Sequence, residues 1–302
     1  MPSKEAEAIN EMFRNLPKGD PGGYEKEREE GRKRPSPPLP DHVTIKELTI
    51  ADNYAELLEK PGNNGPLVMY IHGGGFKTGS ARERRGITFE IVANYGSNVI
   101  ANDYRLAPEH KWPAALEDCV ATYLGILEMG YSPEKLVLAG ESAGATLVLG
   151  TLLYLRDHNK PLPKSAFVYS GGINHAGHFP SHVGNAATDY MLGDSVASDD
   201  DKQHVFGIGE AAEELALSPY VSPYYADLKG LPPIFIAVSD GEALYDDSVI
   251  LYEKLKEAGV PAELHVRHDL IHAFPIFPQL PESVETMQKT FAFIKKYGTE
   301  SV

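Results

Sequence analysis

Cysteine is almost absent from this sequence, and two other common features are missing with it. The single cysteine, Cys119, cannot form an intramolecular disulfide, and its place in a helical pattern favours a buried, small apolar residue. No apolar run reaches the roughly 18 residues of a transmembrane helix. The N-terminus lacks the charged and then apolar pattern of a secretory signal. We therefore expect a cytoplasmic protein.

Positive charge is also scarce. The chain has 28 lysine and arginine residues against 43 aspartate and glutamate residues, which gives a formal net charge of −15. Such a balance favours solubility and repels both nucleic-acid phosphates and anionic lipid surfaces. We therefore expect neither nucleic acid nor a membrane among the partners of this protein.

Apolar runs of strand length alternate with helical segments through most of the chain. The 302 residues, 42% of them hydrophobic, suit one large α/β domain or two ordinary ones. The predicted strands are Val43–Ile50, Tyr54–Glu59, Leu67–Ile71, Ser97–Asn102, Lys135–Ala139, Ser165–Ser170, Pro233–Val238 and Ala262–Val266. The alternation predicts an α/β fold with a doubly wound, mostly parallel sheet.

Two regions break this alternation and predict a cap on a catalytic domain of residues 43–302. In residues 1–42, Ser3 can cap a helix with an apolar stripe, and the charged, Gly- and Pro-rich stretch 18–40 is expected to be loosely packed. Residues 173–231 lack a clear core strand, as insertions above the carboxyl ends of strands often do. The insertion residues expected to meet the helix are Phe179, Tyr190, Met191, Leu192 and Phe206. A frayed N-terminus is the alternative.

A strand-to-helix junction at residues 135–156 carries the pentapeptide Gly140-Glu141-Ser142-Ala143-Gly144. A serine on so sharp a turn occupies a strained backbone conformation, and its neighbours must be small for the chain to pass. Its hydroxyl then projects at a helix N-terminus, where free N–H groups favour a developing anion. The pattern indicates a nucleophilic serine, and a plain strand–turn–helix connection is the alternative.

A glycine-rich loop follows the strand Leu67–Ile71 directly. It reads His72-Gly73-Gly74-Gly75-Phe76, and its unobstructed backbone N–H groups can point into a site. A phosphate-binding loop is disfavoured because the lysine and spacing of a P-loop are missing. The loop predicts an oxyanion hole formed by the N–H groups of Gly73, Gly74 and Gly75, together with that of Ala143.

Three further segments join these two motifs: Asp103–His110, Glu242–Asp247 and His272–Phe274. With them, the chain resembles the hormone-sensitive-lipase-like family of α/β-hydrolases, the bacterial family IV carboxylesterases. The five motifs follow the order of the family, and the resemblance covers the chain from Val43 onward. It implies an α/β-hydrolase fold with a helical cap from the N-terminus and the insertion.

The resemblance also implies roles for individual residues. Ser142 would be the nucleophile and His272 the base, whereas the Asp103–His110 segment would brace the loops beside the site. His265 and His268 are rivals for the base, but His265 lies in a strand pattern and neither belongs to a His-x-Phe motif. A serine hydroxyl needs such a base and an acid that orients it.

The acid departs from the family pattern, which usually reads Asp-Pro-Leu-x-Asp-Glu. Leu244 and Asp246 fix the register, so that Glu242 stands where the family has its catalytic aspartate. Glutamate can still accept a hydrogen bond from the histidine, and Asp240 is the alternative acid. Asp246 and Asp247 are expected to cap the following helix.

These residues predict a serine carboxylesterase that forms an acyl-enzyme. The resemblance implies small esters with short acyl chains as substrates, no cofactor, and a homodimer. The histidines at positions 175, 178 and 182 have a spacing compatible with a metal, but no cysteine or carboxylate pattern accompanies them, so no metal is expected. Two alternatives are a small-molecule-binding protein on the same fold, such as the plant gibberellin receptors, and an amidase or arylamidase.

Overall fold

The computed structural model describes residues 1–16, 23–197 and 199–299. The strands are β1 (Thr44–Ile50), β2 (Asn53–Glu59), β3 (Leu67–Ile71), β4 (Val99–Asn102), β5 (Leu136–Glu141), β6 (Ser165–Tyr169), β7 (Ile234–Ser239) and β8 (Ala262–Arg267). The α-helices are α1 (Lys4–Arg14), α2 (Tyr24–Lys33), α3 (Arg85–Asn94), α4 (Ala114–Glu128), α5 (Ala143–Asp157), α6 (Pro180–Gly184), α7 (Asp199–Phe206), α8 (Glu210–Ala216), α9 (Tyr245–Glu257) and α10 (Pro281–Thr299). All eight predicted strands are confirmed, with small shifts at their ends.

One sheet contains all of these strands, in the order β1-β2-β4-β3-β5-β6-β7-β8. Strand β2 pairs antiparallel with β1 and with β4, and the remaining pairs are parallel. Every residue of β3, β5, β6 and β7 is buried. Burial on both faces explains why these strands are continuous apolar runs in the sequence. The predicted α/β fold with a mostly parallel sheet is confirmed.

Helices cover both faces of the sheet. Successive side chains of a strand point to opposite faces, so Met69 and Tyr70 of β3 belong to different cores. Helices α4, α5 and α9 pack on the Met69 side, and α3 and α10 pack on the Tyr70 side. Cys119 of α4 is a fully buried free thiol, as its sequence pattern predicted.

The predicted site residues all follow the carboxyl ends of parallel strands. Strand β3 leads into the glycine loop His72–Phe76, and β5 leads through Ser142 into α5. Glu242 follows β7, and His272 follows β8. Because parallel strands end at the same edge of a sheet, the topology collects these residues where such folds bind ligands.

The region between β6 and β7 contains short helices in place of a strand. Within the described ranges 173–197 and 199–231, helices α6, α7 and α8 alternate with loops and 3-10 turns, and no strand occurs. Across all the described ranges, no helix combines the length and the apolar character that crossing a membrane requires.

The expectation of loose packing between residues 18 and 40 is wrong for its central part, where α2 forms; residues 17–22 lie outside the described residues. The Arg28 guanidinium of α2 donates to the carbonyl oxygens of Lys77 (2.5 Å) and Ala107 (2.6 Å). It also pairs with Glu109 at 2.8 Å. The charge-rich composition predicted loose packing. The carbonyl partners of Arg28 are distant in sequence, so no local pattern reveals them.

Helix α1 is confirmed, and Ser3 caps it by accepting a hydrogen bond from the N–H of Ala6 (3.1 Å). Its main apolar partner differs from the prediction. Ala6, Ile9 and Phe13 form a cluster with Met191 and with the segment after β8, which contributes Leu270, Ile271, Phe274, Phe277 and Leu280. Of the insertion residues expected to meet α1, only Met191 and Tyr190 do so among the described contacts. The Arg14 guanidinium donates to the Tyr190 hydroxyl at 2.7 Å. Thus α1 is packed, and it lies mainly on the segment that carries His272.

Removing residues 1–16 tests this packing. The truncated chain should keep its sheet, since every strand lies beyond residue 43, but its free energy of unfolding should fall by roughly 2–4 kcal/mol for the lost burial of Ile9 and Phe13. Far-UV circular dichroism and denaturant unfolding measure both quantities. Met12→Ala is the control, because Met12 is 52% exposed and its truncation should cost far less. Equal stability of the truncated and full chains would contradict the packing.

Candidate active site

Ser142 has a strained backbone at the junction of β5 and α5. Its φ of 54° and ψ of −126° lie outside the regions that residues with a side chain usually adopt. A Cβ on Gly144 would collide with the carbonyl oxygen of Ile71, and one on Gly140 would lie 2.7 Å from Gly144. The N–H of Ser142 donates to the carbonyl oxygen of Tyr169 on β6 (2.8 Å). Small neighbours and the adjacent strands therefore hold the turn that the sequence predicted.

Glu242 and His272 form a buried pair. The Nδ1–H of His272 donates to Oε2 of Glu242 at 2.7 Å, and both side chains are almost wholly inaccessible to solvent. The other oxygen of Glu242 accepts from the Ser170 hydroxyl (2.9 Å) and the Ser239 N–H (2.7 Å). The carboxylate is thus fixed from two strand ends, β6 and β7, and it in turn fixes the imidazole ring.

Asp240, the alternative acid, lies apart from His272. Its oxygens accept from the N–H of Asp269 (3.0 Å) and lie 2.8 Å from Nδ1 of His268, and this pair is largely exposed. The geometry therefore favours Glu242 over Asp240 as the partner of the predicted base.

The Nε2 atom of His272 is left free to act. It is buried and makes no hydrogen bond within the described residues, including none to Ser142. Because Nδ1 carries the proton donated to Glu242, Nε2 of the neutral ring is an acceptor, as a general base requires. A hydrogen bond between nucleophile and base often tightens only when substrate is bound.

The environment of His272 favours its protonated form. Burial by itself lowers the pKa of His272, but the hydrogen bond and the charge of Glu242 raise it, with further contributions from the carboxylates of Asp189 and Glu141. The net result is a pKa above the ordinary histidine value of 6.5.

The glycine loop turns sharply beside Ser142. Gly74 and Gly75 have φ values of 119° and 59°, which a residue with a side chain rarely adopts. The N–H groups of Gly74, Gly75 and Ala143 have no hydrogen-bond partner among the described residues. These three donors remain available for an oxyanion.

Gly73 is a correction to the predicted donor set. Its N–H already donates to Oε1 of Glu141 at 2.6 Å, in a buried environment. The same carboxylate accepts from the hydroxyl of Tyr70 (2.6 Å) and from Nε of Arg84 (2.5 Å). Glu141, the residue before Ser142, therefore ties the glycine loop to the nucleophile turn. The position of Glu141 is variable in the Gly-x-Ser-x-Gly motif, so no local sequence pattern predicted this role.

The Asp103–His110 segment braces this loop, as the resemblance implied. The Tyr104 hydroxyl donates to the carbonyl oxygen of His72 (2.9 Å), and the two rings stack with centroids 4.2 Å apart. The N–H of Ala107 donates to the carbonyl oxygen of Phe76 (2.9 Å). Burial lowers the pKa of His72 to about 3, so this histidine is neutral at ordinary pH.

A cavity of about 130 Å³ lies beside Ser142 and beneath the insertion. Its lining combines the nucleophile turn, the glycine loop and the insertion, and is mainly apolar. The lining residues are Gly75, Phe76, Ser142, Ala143, Thr146, Gly172, Asn174, His175, Gly177, His182, Leu192, Ser195, Val196, Lys202, Val205, Phe206, Leu244 and Asp247.

Two of the insertion histidines with a metal-compatible spacing, His175 and His182, contact neighbouring side chains. His182 hydrogen-bonds Asp247 through Nε2 (2.5 Å), both being buried, and the ring of His175 lies near those of Phe76 and Phe206. Within residues 1–16, 23–197 and 199–299, no three His, Cys, Asp or Glu residues are arranged to hold a metal ion.

The expected capping of α9 by Asp246 and Asp247 is wrong. Both residues lie in the first turn of the helix, and both bind the insertion. Oδ1 of Asp247 accepts the N–H of Ile173 and Oδ2 of Asp246 accepts that of Ser181, each at 2.8 Å. These carboxylates accept N–H groups of the insertion instead of those at the start of α9. The sequence alone could not place these donors beside them.

Comparison with known proteins agrees with this geometry. Residues 68–276 match a family model described as the alpha/beta hydrolase fold. The chain is 32% identical over 249 residues to an acetyl-hydrolase of Streptomyces hygroscopicus, covering 82% of this chain and 81% of that protein. Over 274 residues it is 32% identical to an esterase, LipU, of Mycobacterium tuberculosis, covering 85% and 89%.

Solved structures give the same result. A crystal structure of an esterase/lipase from an uncultured bacterium superposes with a TM-score of 0.88 at 33% identity, covering 99% of this chain and all of that one. An esterase from the bacterial hormone-sensitive lipase family superposes with a TM-score of 0.86 at 32% identity, covering 98% and 99%. This chain belongs to the α/β-hydrolases. Its resemblance to the hormone-sensitive-lipase-like esterases among them is confirmed.

The acid can be tested by histidine NMR. Glu242→Gln should lower the pKa of His272, because the carboxylate raises it through a hydrogen bond and a negative charge. Asp240→Asn, the matched control in the same turn, should leave the titration of His272 in place. A lowered pKa in Asp240→Asn with an unchanged one in Glu242→Gln would assign the acid to Asp240.

Proposed function

We propose that this α/β-hydrolase is a serine carboxylesterase in which Ser142, Glu242 and His272 act as the catalytic triad. The observation that carries the proposal is the buried Glu242–His272 pair, whose free Nε2 lies at the same sheet edge as the strained Ser142. Relatives and structural neighbours named as esterases and acetyl-hydrolases support ester hydrolysis.

The first half of the reaction acylates the enzyme. His272 Nε2 accepts the proton of the Ser142 hydroxyl as Oγ attacks the ester carbonyl carbon. The carbonyl oxygen becomes an oxyanion, which the N–H groups of Gly74, Gly75 and Ala143 stabilise. The carbon–oxygen bond to the alcohol then breaks, and the proton on Nε2 passes to the leaving oxygen. The products are an acyl-serine and a free alcohol.

The second half releases the acid. Water enters, gives a proton to His272 Nε2 and attacks the acyl carbon through a second oxyanion. The bond to Oγ breaks and the serine regains its proton from the histidine. Glu242 stabilises the imidazolium as it forms, which is consistent with its raising of the pKa of His272.

The size of the cavity supports the proposal that the substrates are small esters with short acyl chains. Its volume of about 130 Å³ and largely apolar lining suit a short alkyl group better than a long fatty chain. Leu192, Val205 and Phe206 of the insertion line it. We propose that residues 1–42 and 173–231 together form the cap over this pocket, which excludes water from the reaction.

The alternatives are less well supported. A binding protein without activity would have no need of the buried acid, the free Nε2 atom and the strained serine in one place. An amidase or arylamidase would use the same triad, and competing ester and anilide substrates would separate the two. A homodimer and a cytoplasmic location stay predictions.

Ser142→Ala tests the nucleophile. The variant should fold normally, and its kcat on p-nitrophenyl butyrate should fall by roughly 10³-fold or more, since the triad acts as a unit. Release of p-nitrophenol measures the rate, and Ser195→Ala, also in the cavity lining, is the control that should keep the chemistry. A folded Ser142→Ala variant with most of its activity would remove Ser142 from the mechanism.

The pH profile tests the base. Only neutral His272 can accept the serine proton, so kcat/KM should be low in acid and rise through the pKa of His272. Because that pKa is raised, the midpoint should lie above the ordinary histidine value of 6.5. The measurement is kcat/KM between acid and alkaline pH with a substrate whose spontaneous hydrolysis is subtracted. A profile that is flat below neutral pH would contradict the assignment.

A further inference from the structure

One buried carboxylate near the site has no part in the mechanism above. Asp189 lies in the insertion and is only 1% exposed. Its Oδ1 accepts the N–H groups of Met191 (3.1 Å) and Leu192 (2.9 Å), and its Oδ2 accepts the N–H of Ala243 (2.9 Å). It forms no ion pair with a lysine, arginine or histidine in the described part of the chain. A buried carboxylate without a cation is costly unless hydrogen bonds compensate for the lost water.

Asp189 lies beside the turn that carries Glu242. Ala243, which it holds, is the residue after Glu242. Neighbouring insertion residues hold the rest of the same turn: the Asn185 amide donates to the carbonyl oxygens of Asp240 and Glu242, both at 2.9 Å, and the Thr188 hydroxyl donates to that of Gly241 at 2.9 Å. Insertion residues thus hydrogen-bond consecutive peptide groups of the turn that carries Glu242.

Among these contacts, only that of Asp189 brings a charge. The carboxylates that raise the pKa of His272 most are Glu242, Asp189 and Glu141. Glu141 is paired with Arg84, and Glu242 is the direct partner of the ring. The α1 side chains packed on the His272 segment, Ala6, Ile9, Phe13 and Asn10, are uncharged.

We propose that Asp189 is a positioning residue for the hydrolytic reaction: it fixes the Glu242 turn through Ala243 and places a second negative charge near His272. The proposal rests on the triad proposed above. It makes the insertion part of the catalytic machinery as well as a wall of the pocket. When the imidazolium forms, the Asp189 charge stabilises it in a buried setting where water cannot.

The test is Asp189→Asn, compared with Asp246→Asn as a matched control. Each aspartate connects the insertion to the segment that follows β7 by accepting a backbone N–H, but Asp246 is not among the main groups that raise the pKa of His272. The Asp189→Asn substitution removes the negative charge. It also replaces one accepting oxygen with an NH2 group, which would face a backbone N–H. We expect kcat/KM to fall by roughly 10- to 100-fold, as displaced catalytic groups commonly produce. We also expect the rise of kcat/KM with pH to move to lower pH, because a contribution that raises the pKa of His272 is lost.

The second readout separates positioning from mere stability. Under conditions where circular dichroism shows each variant to be fully folded at every pH, a difference in stability cannot move the midpoint of the profile. Asp246→Asn should keep the wild-type midpoint, whatever its stability. If Asp189→Asn folds too poorly to assay, Asp189→Ser keeps an oxygen acceptor for the N–H groups of Met191 and Leu192 while removing the charge, and the same shift is expected.

The outcomes are distinct. Wild-type activity that survives Ser142→Ala would overturn the proposed triad itself. A wild-type enzyme that depends on Ser142, with Asp189→Asn and Asp189→Ser showing the same midpoint as Asp246→Asn, would overturn only the role of Asp189. A shift to lower pH in the Asp189 variants alone would support it.

Discussion

The strained backbone at Ser142 is the constraint on which the rest of the site depends. A residue with φ of 54° keeps that conformation only if its surroundings hold it. Here the chain passes so close to β3 that only glycine fits at positions 140 and 144, and β6 accepts the N–H of Ser142. The central parallel strands, buried along their whole length, are the rigid frame that makes this possible.

Buried carboxylates then connect the loops at the sheet edge. Glu141 joins the nucleophile turn to the glycine loop, Glu242 joins the β7 turn to His272, and Asp189 joins that turn to the insertion. Each accepts two or more hydrogen bonds, which is what allows a carboxylate to remain buried. Loops that are distant in sequence thereby become one preorganised site. In the proposed mechanism an oxyanion or imidazolium would form there with little rearrangement.

The proposed cap contacts this frame at two points. The insertion holds the acid turn through Asn185, Thr188 and Asp189, and α1 covers the segment that carries His272. The insertion also lines the cavity beside Ser142. In the proposed mechanism, changes in the insertion would therefore affect the turn that carries Glu242 as well as the shape of the pocket.

The sequence by itself was enough for the features that depend on neighbours in the chain. Continuous apolar runs predicted the strands, the small residues around Ser142 predicted the sharp turn, and Ser3 predicted the start of α1. Only the tertiary structure decided which distant groups pair. In the folded chain the N–H of Gly73 donates to Glu141, and Asp247 pairs with His182. Arg28 of α2 donates to the carbonyl oxygen of Ala107, and α1 packs on the segment that carries His272. The reason is physical: periodicity and turn chemistry are local, whereas a buried charge is satisfied by whichever donors the folded chain brings within reach.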